Sequence, residues 1–326
     1  MSTPFFIIGC GRSGTTLLRA MLNSHPKVAI PLESLFIVDY LQRQDIDPVI
    51  IRELMTKEYE IKAWGLKLYP SDLYDCDTVA EMIEKIHRLY ALKHNKVIWG
   101  QKTPRFVRYG DLLKKAFPQA KFINLIRDPR AVVSSLISSN VHRSNPYYAC
   151  RRWNNDVFSG LQLEKKYPES TIRIMYEDLV SKPTETLQRI CSFLNLEYDI
   201  NLLNYHQTTG FEYGSYHSKI HSNLTSAVST ERIAAWRIKL TPRKINYVES
   251  VCCGLMSICG YKRETPSTSC QSIFVVTYKT ERFFNFPFQL YHYIIHRRKY
   301  LSCLLVRKYK LGLLSKFADI INLING

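Results

Sequence analysis

Short apolar runs alternate along the chain with stretches whose apolar residues recur every three or four positions. The first run, Pro4 to Cys10, suits a buried parallel strand. Beyond it Leu17, Leu18, Met21 and Leu22 keep helical spacing from Gly14 to Asn23, and His25-Pro26 stops the helix. The alternation returns at Lys121 to Ile126, a strand followed by Arg127-Asp128-Pro129-Arg130, where Pro129 suits a first helical turn and Asp128 its N-cap. A third unit joins Thr171 to Met175 through Tyr176-Glu177-Asp178-Leu179 to a helix from about Pro183 to Leu194. Strands alternating with helices predict an α/β fold, a parallel sheet with helices on both faces and ligands at the carboxyl ends of the strands. The polar stretch Arg263 to Ser269 reads as a linker. It divides the chain into an α/β body, residues 1–262, and a basic helical C-terminal extension, residues 263–326.

Composition adds class and charge to this picture. At 326 residues, 46% of them hydrophobic and 22% charged, the chain is an ordinary folded protein, neither disordered nor fibrous. Its 45 Lys and Arg against 28 Asp and Glu leave a net charge of +17, a field that attracts nucleotides, nucleic acid, acidic protein segments or an anionic membrane surface. The nine cysteines are odd in number and contain no Cys-x-x-Cys pair, which favours neither a disulfide framework nor a zinc site. The opening Met1-Ser2-Thr3-Pro4 has no signal-peptide pattern, so a reduced, cytoplasmic protein is expected.

The extension carries nine Lys and Arg beyond Gln271 against Glu281 and Asp319. Its uncharged stretch from Phe283 to Ile295 contains Pro287 and falls short of the roughly 18 residues of a membrane-spanning helix. Leu301, Leu304, Leu305, Leu311, Leu314, Phe317 and Ile321 fit an amphipathic helix beside Arg297-Arg298-Lys299 and Arg307-Lys308-Tyr309-Lys310. Such a helix suits peripheral contact with an anionic membrane, or packing on the body or in a homodimer.

The chemistry begins at Gly9-Cys10-Gly11-Arg12-Ser13-Gly14-Thr15-Thr16, between the first strand and the first helix. The spacing is that of a P-loop, but Thr15 stands where an ATP-binding loop carries lysine. A cation is supplied instead by Arg12, while loop N–H groups and the helix N-terminus still favour an anion. The cradle therefore suits a 5′-phosphate without a γ-phosphate or a metal ion, and the fold expected is P-loop NTPase-like.

Gly11-Arg12-Ser13-Gly14-Thr15-Thr16 and Ile126-Arg127-Asp128-Pro129-Arg130-Ala131-Val132-Val133-Ser134-Ser135 resemble the two signatures of sulfotransferases that use 3′-phosphoadenosine 5′-phosphosulfate (PAPS). The likeness is to the tyrosylprotein sulfotransferase-like branch. It is dense from Pro4 to about Leu41, resumes from Lys102 to Ser138, and is thinner at Tyr176-Glu177-Asp178-Leu179 and near Trp236. The resemblance implies that Arg12, Ser13, Gly14, Thr15 and Thr16 grip the 5′-phosphosulfate and that Arg127 and Ser135 bind the 3′-phosphate. A helix starting near Pro129 brings Ser135 within two turns of the strand end, where it can share a phosphate with Arg127. Tyr176 falls where the family places a tyrosine near the base, and Arg232 is the available basic residue to close over the 3′-phosphate, though its register is ambiguous.

The same resemblance implies Glu33, 21 residues after Arg12, as general base, and Lys102 as the cation that stabilises the leaving phosphate. Partial burial would raise a carboxyl pKa enough to suit a base, and an ammonium at the bridging oxygen acts most strongly in the transition state. Other sulfotransferases use a histidine base, which leaves His94, His142 and His217 as rivals. The implied reaction moves a sulfuryl group to a hydroxyl or amine, with the acceptor open between a small alcohol, phenol, sugar or secondary metabolite and a peptide tyrosine. No metal is expected. A P-loop nucleotide kinase would need the missing lysine and an acidic metal ligand at a strand end, where Arg127 stands instead. A non-enzymatic nucleic-acid-binding protein would explain the charge, yet no RNP, zinc-finger or other reader pattern is present, so no nucleic-acid partner is expected.

Overall fold

Strand β1, Phe5–Gly9, is buried at every position, and its unbroken apolar sequence fits the middle of a sheet covered on both faces. It pairs in parallel with β3, Ile98–Lys102, on one side and with β4, Lys121–Ile126, on the other. Beyond these lie β2, Val28–Ala29, and β5, Thr171–Met175, so the order is β2-β3-β1-β4-β5 and every pairing is parallel. Here the computed structural model describes residues 3–139, 144–208, 228–266 and 298–313, together with residues 291 and 295.

The register decides what meets at one edge of the sheet. Ile7 stands beside both Lys102 and Ile123, and Gly9 beside Leu125. The loop after β1, the end of β3 and Arg127 just past β4 therefore emerge together, at the carboxyl edge where the strand order reverses around β1.

Alternation along β1 divides the core. Phe6 and Ile8 face one layer with Trp99, Phe106, Phe117 and Phe122; Phe5 and Ile7 face the other with Leu18, Met21, Leu22, Ile123 and Leu125. The helices fall close to the sequence pattern, at Thr15–Asn23, Pro129–Ile137 and Pro183–Leu194. Asp128 caps the second of these by accepting from the Arg130 N–H. A short helix, Phe36–Leu41, follows the Glu33 segment.

In the extension, residues 298–310 are helical, and this helix ends at a turn containing Gly312 (φ 61°). Tyr300, Leu304, Arg307 and Leu311 form its buried face. Arg307 bonds Asp39 at 2.9 Å and Glu58 at 2.5 Å, with Glu60 at 3.5 Å, and Lys308 bonds Asp39 at 2.5 Å. The basic residues thus join the helix to the body. Leu314, Phe317 and Ile321 lie outside the described residues. In the segment expected to be a linker, Glu264 and Thr265 are tied by their N–H groups to the buried Glu249, at 2.9 Å each.

Candidate active site

After β1 the chain reverses tightly: Ser13 N–H donates to the Cys10 carbonyl at 3.2 Å. The turn needs positive φ at Arg12 (74°) and Gly14 (95°). Gly9 tolerates no side chain, since a Cβ there would lie 2.3 Å from the Leu125 carbonyl oxygen. Helix Thr15–Asn23 starts at Gly14 without a side-chain cap, so its first N–H groups remain for an anion. The Ser13 hydroxyl is buried without a hydrogen-bond partner among the described residues.

Beside the loop stands a group of guanidinium and hydroxyl donors. Arg12 donates from Nε to Ser135 Oγ at 2.9 Å. Arg127 donates to the carbonyls of Arg12 at 3.2 Å and Arg232 at 2.8 Å, and its guanidinium lies 4.0 Å from the centre of the Tyr176 ring. That ring also closes on the loop, because a Cβ on Gly14 would come within 2.4 Å of it. The neighbouring carboxylates are engaged elsewhere. Asp128 binds Arg130, and Glu177 accepts from the Asp128 N–H at 3.1 Å and the Tyr261 hydroxyl at 2.8 Å. Arg127 accordingly has no carboxylate partner among the described residues. Burial, and then the like charges of Arg127, Arg232 and Arg152, lower the pKa of Arg12.

On the other side of the loop Lys102 ends β3. Its ammonium bonds the Glu33 carboxylate and lies 3.3 Å from the Thr16 hydroxyl. Burial lowers the Lys102 pKa, and Glu33 partly offsets that fall. The Glu33 segment is braced from behind. Arg19 Nε donates to the Pro31 carbonyl at 3.0 Å, Gln101 to the Leu32 carbonyl at 3.2 Å, and the Ser34 N–H to Thr103 Oγ1 at 3.0 Å. His87 holds Gln101 in turn, its Nε2 lying 3.1 Å from Oε1. Sequence reasoning missed this support, although Arg19 was a visible signal: a charged residue inside the apolar run Leu17-Leu18-Arg19-Ala20-Met21-Leu22.

A family model described as the sulfotransferase family matches residues 4–200. The chain belongs to the sulfotransferase family. Similar curated proteins include a putative protein-tyrosine sulfotransferase of Caenorhabditis briggsae, 26% identical over 78% of this chain and 88% of its own length. Protein-tyrosine sulfotransferase A of Caenorhabditis elegans is 30% identical over 64% of this chain, which spans 54% of that protein; protein-tyrosine sulfotransferase 1 of Danio rerio is 28% identical over 80% and 75%. The sulfotransferase domain from the curacin biosynthetic pathway shares the fold, with a TM-score of 0.61, 22% identity, and coverage of 80% of this chain and 99% of that domain. The protein is therefore an enzyme of the sulfotransferase class, on a parallel α/β sheet.

In this sulfotransferase, Arg12 through Thr16, Arg127, Ser135, Tyr176, Arg232, Glu33 and Lys102 all border the carboxyl edge of β1, β3 and β4. The ambiguous Arg232 stands beside Arg127, its carbonyl accepting from that guanidinium, and four residues on Trp236 packs its ring 4.1 Å from the Arg130 guanidinium. Among the rival bases, His94 is exposed at the C-cap of helix Val79–Lys93, against the Tyr90 ring. His142 and His217 lie outside the described residues. Among the described residues no cluster of His, Cys, Asp and Glu could hold a metal ion, and no helix is long and apolar enough to cross a membrane. Asp39 sits in helix Phe36–Leu41, not at a strand end, and is paired with Arg307 and Lys308.

Proposed function

We propose that this sulfotransferase uses PAPS as donor and sulfates the hydroxyl of a tyrosine in a protein or peptide. The observation that carries the donor assignment is the union of a lysine-free phosphate loop with Arg12, Arg127 and Ser135, linked by hydrogen bonds and lacking carboxylate partners around Arg127. The buried, unpartnered Ser13 hydroxyl and Arg127 Nε fit an anionic ligand, since such groups are costly to leave unsatisfied. The acceptor assignment rests on the names of the curated relatives.

Arg12, Ser13, Thr15, Thr16 and the loop N–H groups would hold the 5′-phosphosulfate. Arg127, Ser135 and Arg232 would hold the 3′-phosphate, with Tyr176 fixing the Arg127 plane. The donor, when bound, supplies an activated sulfuryl group. Glu33 accepts the proton of the attacking hydroxyl, and Lys102 directs its ammonium to the oxygen on which charge develops. Their direct pairing holds the two groups together until an acceptor hydroxyl takes the place of the ammonium at Glu33. Catalysis is assigned to residues 1–262, with 263–326 as an extension clasped to that body.

Thermal stabilisation of the natural chain by 3′-phosphoadenosine 5′-phosphate (PAP), but not by ATP with Mg²⁺, tests the donor. Incubation of a tyrosine-containing peptide with PAPS and the enzyme, read by mass spectrometry, tests the acceptor. A nucleotide response to ATP alone would remove the assignment.

A further inference from the structure

A second set of arginines reaches the loop at Gly11. Arg152, on helix Pro146–Lys166, brings its guanidinium so close to Gly11 that a Cβ there would be 2.8 Å from Nη2. Its Nε is buried without a hydrogen-bond partner, the carboxylate of Asp156 standing 3.8 Å away. Asp156 is itself buried and already takes Arg108 Nε at 2.5 Å and the thiol of Cys10. Arg105, which follows Lys102 by three residues, adds another cation: burial, and then the charges of Arg152 and Arg108, lower its pKa. One carboxylate therefore serves two arginines with a third cation beside them, and Arg152 of this group faces the phosphate loop at Gly11. A surplus of this kind, held at low solvent exposure, costs stability unless an anion completes it.

We propose that Arg152 binds the 5′-phosphosulfate of the donor across Gly11, while the Arg127–Ser135 pair serves the 3′-phosphate. This rests on the PAPS reading above. Glycine at position 11 is then a spacing requirement, because any side chain there would push the guanidinium off the loop. Asp156 orients Arg152 from below without neutralising it, and through the Cys10 thiol it also fixes the start of the loop.

The test compares Arg152→Gln, Arg152→Lys and Arg127→Ala in calorimetric or competition binding with PAP, adenosine 5′-phosphosulfate and adenosine 3′-phosphate. Arg152→Gln should bind PAP and adenosine 5′-phosphosulfate about ten-fold more weakly and adenosine 3′-phosphate unchanged, as for one lost charge-assisted contact. Arg127→Ala should show the reverse preference, and Arg152→Lys should recover part of the 5′ affinity. The ligand-free Tm of Arg152→Gln should equal or exceed that of the natural chain, since removing an uncompensated charge relieves repulsion. Unaltered 5′ affinity overturns the assignment, as does an equal loss for all three nucleotides with a lowered Tm. A change confined to the acceptor KM moves Arg152 to the acceptor side and overturns it too. Failure of the natural chain to bind PAP would instead overturn the donor reading itself.

Discussion

Lys102 and Glu33 are bonded to each other but differ in environment: the lysine side chain is 4% exposed and the glutamate 52%. Burial fixes the ammonium in place, whereas the carboxylate has room to turn toward an incoming hydroxyl. Glu33→Gln preserves shape but cannot take a proton, so turnover should fall about 10² to 10⁴-fold while PAP affinity stays nearly constant. The same change removes the charge that opposes the burial-driven fall of the Lys102 pKa. With its pKa lower still, Lys102 loses its proton at lower pH, and the alkaline limb of the kcat/KM profile should move to lower pH. A profile whose alkaline limb stays put would separate Lys102 from the chemistry.

Gly14 and Tyr176 form a second pair whose fit can be measured. Gly14→Ala meets both a φ of 95° and the Tyr176 ring. The backbone strain alone costs about 1 kcal/mol or more. Adding Tyr176→Ala removes the clash but not the strain, so the double variant should recover part of the stability lost in Gly14→Ala and none of the Arg127 stacking. Urea unfolding of the single and double variants gives the coupling directly. Strict additivity would mean that the ring moves aside freely.

What the sequence disclosed and what it concealed follow from the range of the interactions. Strands β4 and β5 and the helices Pro129–Ile137 and Pro183–Leu194 were legible because apolar runs, Pro at a helix start and, for the first helix, an Asp cap are local features. The loop and Arg127 were legible because their spacing is itself the signal. Arg152, Gln101 and Arg307 were not, because each acquires its meaning from a partner distant in sequence: Gly11, Leu32, and Asp39 with Glu58. The basic character of residues 307–310 suited contact with an anionic membrane, yet Arg307 is among the largest fully buried side chains. Nothing local to the extension announces three acidic residues waiting in the body.

His87 links the site's support to acidity. It is completely buried between the Trp64 and Trp99 rings, and burial pulls its pKa down from 6.5 to about 4. The folded state therefore binds fewer protons than the unfolded state between these values, and the stability present above pH 6.5 is lost as pH falls toward 4. The loss from this group amounts to about 3 kcal/mol at most. Thermal melts of the natural chain and His87→Gln at pH 7 and pH 4.5 should show the smaller fall in the variant. An identical fall in both would mean that other groups carry the acid sensitivity.

Arg307 and Glu60 should respond to substitution with opposite signs. Arg307 spans Asp39, Glu58 and Glu60, and Lys308 is the second cation at Asp39. Two cations thus face three carboxyls, and burial pushes the Glu60 pKa up to about 7, more than Arg307 can offset. Its Oε1 is also buried without a partner among the described residues. Because the folded pKa exceeds the usual value of 4.5, Glu60 contributes stability below pH 4.5 that is lost as pH rises through 7. Arg307→Met strands the remaining carboxylates and should cost about 3–5 kcal/mol at pH 8, read as a lower urea midpoint. Glu60→Gln removes the surplus charge and should hold or raise that midpoint at pH 8 while flattening its decline above pH 5. If Glu60→Gln is as damaging as Arg307→Met at pH 8, the ionised Glu60 is needed by Arg307 and its charge is not surplus.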